Sequence, residues 1–181
     1  MIDAPASTRG LPRFTSAGAL SAGARIAGPN RFVSTRQIRF GHCDPAAIVF
    51  YPQYVLLFQE VQEDFFQYGL GVDYYAMIAG GLGTPIVRMD AVFQLPSRMG
   101  DIVDFVVSIK ALGNSSITAS FECSGVDGPR VSADLKFVFV DHIARLAVPI
   151  PRALRSRLAQ FQHGGAGEPA AAGPRGNAPE S

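Results

Sequence analysis

The chain has 181 residues, 48% of them hydrophobic and 17% charged, which suits one soluble domain that needs no metal, haem or disulfide cage to fold. Sixteen Lys and Arg stand against fifteen Asp and Glu, a formal charge of +1, so neither a nucleic acid nor an anionic membrane is expected as main partner. Two cysteines, Cys43 and Cys123, make neither a disulfide framework nor a zinc site and fit a cytoplasmic protein, and no window approaches the ~20 apolar residues of a membrane-spanning helix.

From the N-terminus, residues 1–30 are rich in Ala, Gly, Ser and Pro without periodicity and read as a disordered extension. A basic targeting peptide is disfavoured there, because the weakly apolar stretch from Ala17 to Ala24 is broken by Gly18, Ser21 and Gly23. The folded domain is expected at 31–162, with 12 basic and 12 acidic residues, and a second disordered tail at 163–181. Phe32 to Phe40 is a first, irregular strand. From Tyr54 the residues Leu57, Phe58, Val61, Phe65 and Tyr68 recur at spacings of three and four, the stripe of an amphipathic helix of four to five turns. Pro52 suits its first turn and Gly69 its end.

Four runs of period two follow: Val87 to Leu95, Val103 to Ala111, Ile117 to Cys123, and Val131 to Phe139. The breaks between them are short and turn-like, so an antiparallel meander is expected. A short helix closes the domain between Pro151 and Phe161, with Leu154 and Leu158 inward. The order implies an α+β fold in which a five-stranded antiparallel sheet wraps one long central helix.

Between the first strand and the helix lies RFGHCDPAAIVFYPQY, Arg39 to Tyr54. Asp44 is the only carboxylate between Arg31 and Glu60. A lone acid before an apolar run and a helix start can serve as nucleophile or general base beside oriented backbone N–H groups. The same Asp, followed by Pro45, can equally make an Asx turn that satisfies backbone donors.

The stretch FGHCDPAAIVFYPQY, with GLGTPIV at Gly81 to Val87, resembles the 4-hydroxybenzoyl-CoA thioesterase family of hotdog-fold acyl-CoA thioesterases. The match covers every fixed position of the family pattern except Ala47, where Gly is frequent, and extends over about Thr35 to Phe161. The resemblance implies hydrolysis of an aryl- or medium-chain acyl-CoA to free acid and CoA. No metal or cofactor is implied, coenzyme A being part of the substrate. Asp44 matches the catalytic carboxylate, as nucleophile or as base for water, and Tyr51 matches the residue whose backbone N–H holds the thioester oxygen. Thr84 matches a residue that binds the aromatic hydroxyl, with a plain loop hydroxyl as the alternative. Relatives place the site between subunits, implying a homodimer or a dimer of dimers (a homotetramer).

One departure concerns the acyl end. Five residues after Tyr54 the 4-hydroxybenzoyl enzymes carry Asp and other relatives often Glu, whereas this chain has Gln59, an amide that offers no anion to a hydroxyl. The acyl group is expected to lodge against Phe50, Phe58 and neighbours. Arg88, Lys110 and Arg130, with Arg145 and Arg152, form the pool for CoA phosphates. Two other classes stay open: a hydratase or dehydratase of acyl thioesters, for which His42 is the nearby histidine, and a non-catalytic binding module for acyl-CoA or acyl-carrier protein. Cys43 reads as a small buried filler.

Overall fold

The computed structural model describes residues 23–162, so the expectations for 1–22 and 163–181 lie outside the described residues. A three-residue strand, β1 (Ala24–Ile26), precedes β2 (Phe32–Gln37), and a 3₁₀ turn at Phe40–His42 leads to the main helix α1 (Tyr51–Asp64). A π-turn, Phe65–Gly69, extends α1 by five residues. After α2 (Tyr74–Ala79) come β3 (Leu82–Gly83), β4 (Ile86–Phe93), β5 (Ile102–Leu112), β6 (Ser116–Gly125) and β7 (Gly128–Val138). Two short strands, β8 (Val140–Asp141) and β9 (Leu146–Ala147), and α3 (Arg152–Ala159) complete the described chain.

The main sheet runs β1-β2-β5-β6-β7-β4 and is antiparallel throughout. It has six strands rather than the expected five. The sixth is β1, which pairs Ala24–Ile26 with Phe32–Ser34 and ties Arg25 to Asp104 across β2. The meander is also corrected: β5, β6 and β7 follow one another, but β4 pairs with β7 and not with its sequence neighbour β5. The chain keeps pairing with β7 to Leu95, whose N–H donates to Pro129 O, and then crosses the end of the sheet to β5.

Alternation decides what the sheet buries. Val103, Phe105, Val107 and Ile109 on β5, Ile117, Phe121 and Cys123 on β6, and Val131, Leu135 and Phe137 on β7 are all buried and face Leu57, Phe58 and Val61 of α1 within one core. The Phe58 ring lies edge-on to Phe105 and Phe121 at 6.0 and 5.6 Å. Burial pushes the Cys123 thiol up to about 12. The pattern breaks at two bulges. One, between Ile86 and Arg88, turns Val87 outward; the other, between Ile109 and Ala111, leaves Ala111 exposed.

At the far end of α1, a Cβ on Gly69 would stand 2.8 Å from the Phe65 ring and 3.1 Å from that of Phe32, so only glycine admits this packing. The widened turn is closed by Leu70 N–H to Phe65 O. α3 covers the same end with Leu154 and Leu158 buried. No helix among the described residues is long and apolar enough to cross a membrane.

Candidate active site

The segment between β2 and α1 folds as a clamped loop. Asp44 Oδ1 accepts from Ala46 N–H at 2.8 Å, Asp44 O accepts from Ala47 N–H, and Asp44 N–H donates to Ile48 O. Asp44 therefore does form the Asx turn that its Pro neighbour suggests. That turn uses one carboxylate oxygen only; Oδ2 has no hydrogen bond among the described residues. The loop is anchored at both flanks: Phe50 N–H donates to His42 O at 3.0 Å, and Val49 N–H donates to Ser97 O at 2.9 Å. Ser97 is itself held by the buried Tyr54 hydroxyl at 2.8 Å, and burial above all pushes that phenol upward.

Ala47 takes φ +60°, the left-handed region that costs a Cβ-bearing residue roughly 1 kcal/mol and glycine little. Ala47 is exposed, so removing its methyl forfeits little packing. Ala47→Gly is expected to raise the urea midpoint by the equivalent of about 0.5–1 kcal/mol, the backbone relief outweighing the greater freedom of the unfolded chain. An unchanged or lower midpoint would show that the loop carries no strain there.

Asp44 lines a cavity of about 400 Å³ with Phe40, Cys43, Pro45, Ala47 and Met99, a mostly apolar wall with one carboxylate. Hydrogen bonding ties this loop to the first turn of α1. Phe50, the residue preceding the helix, gives no side-chain cap, Pro52 has no N–H, and Gln53 N–H bonds back to Phe50 O. The Tyr51 N–H belongs to the first turn, where no intrahelical acceptor exists. The Tyr51 side chain is 64% exposed and lies edge-on to Phe50. The arrangement offers a carboxylate oxygen and, at the positive end of a long helix, an open donor with no neutralising side chain.

The other anticipated residues fall in different places. Gln59, two turns along α1, donates from Nε2 to Glu63 Oε1 at 3.1 Å, and Glu63 Oε2 accepts from Tyr75 at 3.0 Å. Thr84 is buried, with its hydroxyl 3.1 Å from Gln62 Nε2 and 3.4 Å from the Tyr74 hydroxyl. Phe50 is half-exposed near the loop, while Phe58 lies within the core. None of Tyr51, Gln59, Thr84, Phe50 and Phe58 lines the Asp44 cavity.

The three basic residues are not gathered. Arg88 pairs with Asp90 at 2.6 Å and Lys110 with Asp134 at 2.7 Å, both on the outer face of the sheet. Arg130 is 4% exposed, bonded to Asp101 and Asp127, and packed where a Cβ on Gly125 would meet its guanidinium. Sequence reasoning missed Gln62, a 1% exposed amide on α1. Its signal was a polar residue four positions after Phe58 and three before Phe65, on the apolar stripe. It also missed that Glu63 links α1 to α2.

Comparison with known proteins bears on the family and the fold. The family model described as the thioesterase-like superfamily matches residues 38–158. A 1,4-dihydroxy-2-naphthoyl-CoA hydrolase from Synechococcus elongatus is 26% identical over 125 residues, covering 68% of this chain and 91% of its own. Among solved structures, a gentisyl-coenzyme A thioesterase superposes with a TM-score of 0.65 at 28% identity, covering 70% of this chain and 98% of that one. A mutant 4-hydroxybenzoyl CoA thioesterase complexed with 4-hydroxybenzoyl CoA gives 0.64 at 25% identity, over 71% and 99%. With a family match over more than half its length and one long helix wrapped by an antiparallel sheet, the chain belongs to the thioesterase-like superfamily as a hotdog-fold thioester hydrolase.

Proposed function

We propose that the protein hydrolyses an aryl- or medium-chain acyl-CoA thioester to the free acid and CoA, with Asp44 as the reacting carboxylate and the Tyr51 N–H as oxyanion donor. The observation that carries this reading is the divided use of Asp44: one oxygen locks the loop while the other is uncommitted beside an apolar cavity. As nucleophile, that oxygen would attack the thioester carbon and expel the CoA thiolate, leaving an anhydride for water to cleave. As base it would take a proton from the attacking water. In both routes negative charge gathers on the thioester oxygen, where a first-turn N–H stabilises it. The aryl preference draws on the relatives, which are named for dihydroxynaphthoyl, gentisyl and hydroxybenzoyl esters of CoA.

The same reading takes the enzyme as a homodimer at least. β4 is the last strand of the sheet, paired on one side only, and exposes Val87, Val92 and Phe93, while α1 exposes Val55 and Leu56. An eight-residue edge with apolar cover is a surface that natural sheets seldom leave bare. Sedimentation is expected to give twice the protomer mass or four times it; a monomer at micromolar concentration would count against the shared site. Two free thiols fit a cytoplasmic setting.

The hydratase alternative needs a histidine working with the carboxylate. His42 Nδ1 accepts from Arg39 N–H at 3.1 Å, and its ring lines a separate cavity with Arg36, Arg39 and Glu60. The deciding assay is free-thiol release from a panel of benzoyl-, hydroxybenzoyl-, phenylacetyl- and straight-chain acyl-CoA esters. Release is expected to be fastest with an aryl ester. Binding without release would instead indicate an acyl-CoA binding module, and a change in enoyl absorbance would indicate a hydratase.

A further inference from the structure

Arg130 stands in the pool for CoA phosphates by its charge, but its side chain is 5% exposed and its guanidinium is turned into the protein. A buried cation is tolerated only where anions are brought to it. Two come, from different elements: Asp127 from the turn between β6 and β7, and Asp101 from the position before β5, the latter at 3.3 Å. Arg130 Nε has no partner among the described residues, so these carboxylates carry the pairing. The group is also confined from behind, since a Cβ on Gly125 would stand 2.6 Å from its Nη2.

This pairing closes the segment 94–101, which crosses from β4 to β5. Arg130 O accepts from Gln94 N–H at 2.8 Å where the chain leaves β4, and Arg130 Nη2 donates to Asp101 Oδ2 where it enters β5. One residue of β7 therefore holds both ends of the crossing. Asp101 Oδ2 also accepts from Arg98 N–H at 2.9 Å, and Asp101 N–H donates to Arg98 O at 3.1 Å, a tight turn with Met99 and Gly100 at its centre. The turn supports the Asp44 loop. Ile48 bridges Arg98, Val49 N–H donates to Ser97 O at 2.9 Å, and Ile48 O accepts from Asp44 N–H at 3.0 Å. Hydrogen bonds thus lead without a gap from the guanidinium to the backbone of Asp44, and Met99 itself lines the Asp44 cavity.

We propose that Arg130, acting through Asp101, is a positioning residue for thioester hydrolysis: it sets the place of the 94–101 crossing and thereby the aim of the Asp44 carboxylate. This rests on the reading of Asp44 as the reacting group. The geometry favours a shift of the turn over its loss when the pair is broken, because Ile38 holds the same turn from the β2 side. Ile38 N–H donates to Asp101 O and Gly100 N–H donates to Ile38 O, both at 2.8 Å. A misplacement of about 1 Å can cost about a hundredfold in rate, so a small shift is enough.

The test measures kcat and KM by thiol release from the fastest aryl-CoA ester in full-length protein, well below each variant's melting temperature. Asp101→Asn keeps an oxygen for Arg98 N–H and removes the anion that Arg130 holds. It is expected to lower kcat roughly ten- to a hundredfold, with KM changed far less. Asp127→Asn leaves the Arg130 to Asp101 link in place and is expected to lower the melting temperature with kcat within about twofold of wild type. In an Asp44→Asn background, Asp101→Asn should cost no more than about a further twofold, since a residue that works through Asp44 has nothing left to aim. If Asp101→Asn folds poorly, Arg130→Lys takes its place in both backgrounds: it keeps the charge without the planar group that lies against Gly125.

A merely structural pair would lower the melting temperature in Asp101→Asn and leave kcat at the wild-type value, which overturns the proposal. An equal loss of kcat in Asp127→Asn, or a loss that multiplies in full with Asp44→Asn, overturns it too. Retention of kcat by Asp44→Asn alone would instead refute the reading of Asp44, and this assignment with it.

Discussion

Asp44→Asn is expected to lower kcat for the best acyl-CoA substrate by roughly 10²–10⁴-fold, the range for loss of a positioned general base, and by more if the carboxylate attacks the substrate directly. Asparagine is the informative replacement because its side-chain oxygen can still accept from Ala46 N–H, as Oδ1 does now at 2.8 Å, so the Asx turn survives while the charge is removed. Asp44→Ala removes both. If the residue mattered only as a turn former, Asp44→Asn would be near wild type and Asp44→Ala would lose about 0.5–1.5 kcal/mol of stability, the net value of one hydrogen bond. If the uncommitted oxygen does the chemistry, both variants lose turnover, and Asp44→Asn keeps its melting temperature. Thiol-release kinetics beside thermal denaturation of the two variants separates these cases. Retention of most of the kcat by Asp44→Asn would remove Asp44 from the reaction.

The loop's chemistry was legible because it is local. Gly41, Asp44 and Pro45 mark a turn, and the apolar run to Tyr51 with Pro52 marks the helix entry, all within a dozen residues. The core was legible for a related reason: period two on β5, β6 and β7 and the three-four stripe on α1 state which face is buried, and Phe105, Phe121, Leu135 and Val61 obey it. Alternation does not say which strand is the neighbour. That is why β4 was expected beside β5 and lies instead beside β7, its partner chosen by the crossing at Pro96 to Asp101. β1 has three residues, of which only Ala24 is buried, too little pattern to stand out from a Gly- and Ala-rich stretch. The links from α1 to the segment that follows it, Gln62 to Thr84 and Glu63 to Tyr75, join residues 22 and 12 positions apart. They depend on where α2 and the loop after it pack, which no local period encodes.

Phe58→Ala carries the largest expected effect on stability. Phe58 was singled out as an acyl-group contact, and the fold gives its ring a full set of protein partners: Phe105 and Phe121 edge-on, Tyr54 at 6.5 Å, and 1% exposure. Truncating a buried phenylalanine costs about 3–5 kcal/mol, the lost transfer energy plus the unfilled space, because the sheet on one side and α1 on the other cannot close over it. For a domain of this size each kcal/mol moves the melting temperature by about 2–4 °C, so a fall of roughly 6–20 °C is expected. The kinetic signature differs from that of a substrate contact. Measured well below the new melting temperature, KM should change little and activity should follow the folded fraction, since the ring's nearest neighbours are other core rings and not the cavity beside Asp44. A large rise in KM with little loss of melting temperature would reverse the assignment and put the Phe58 ring against the acyl group.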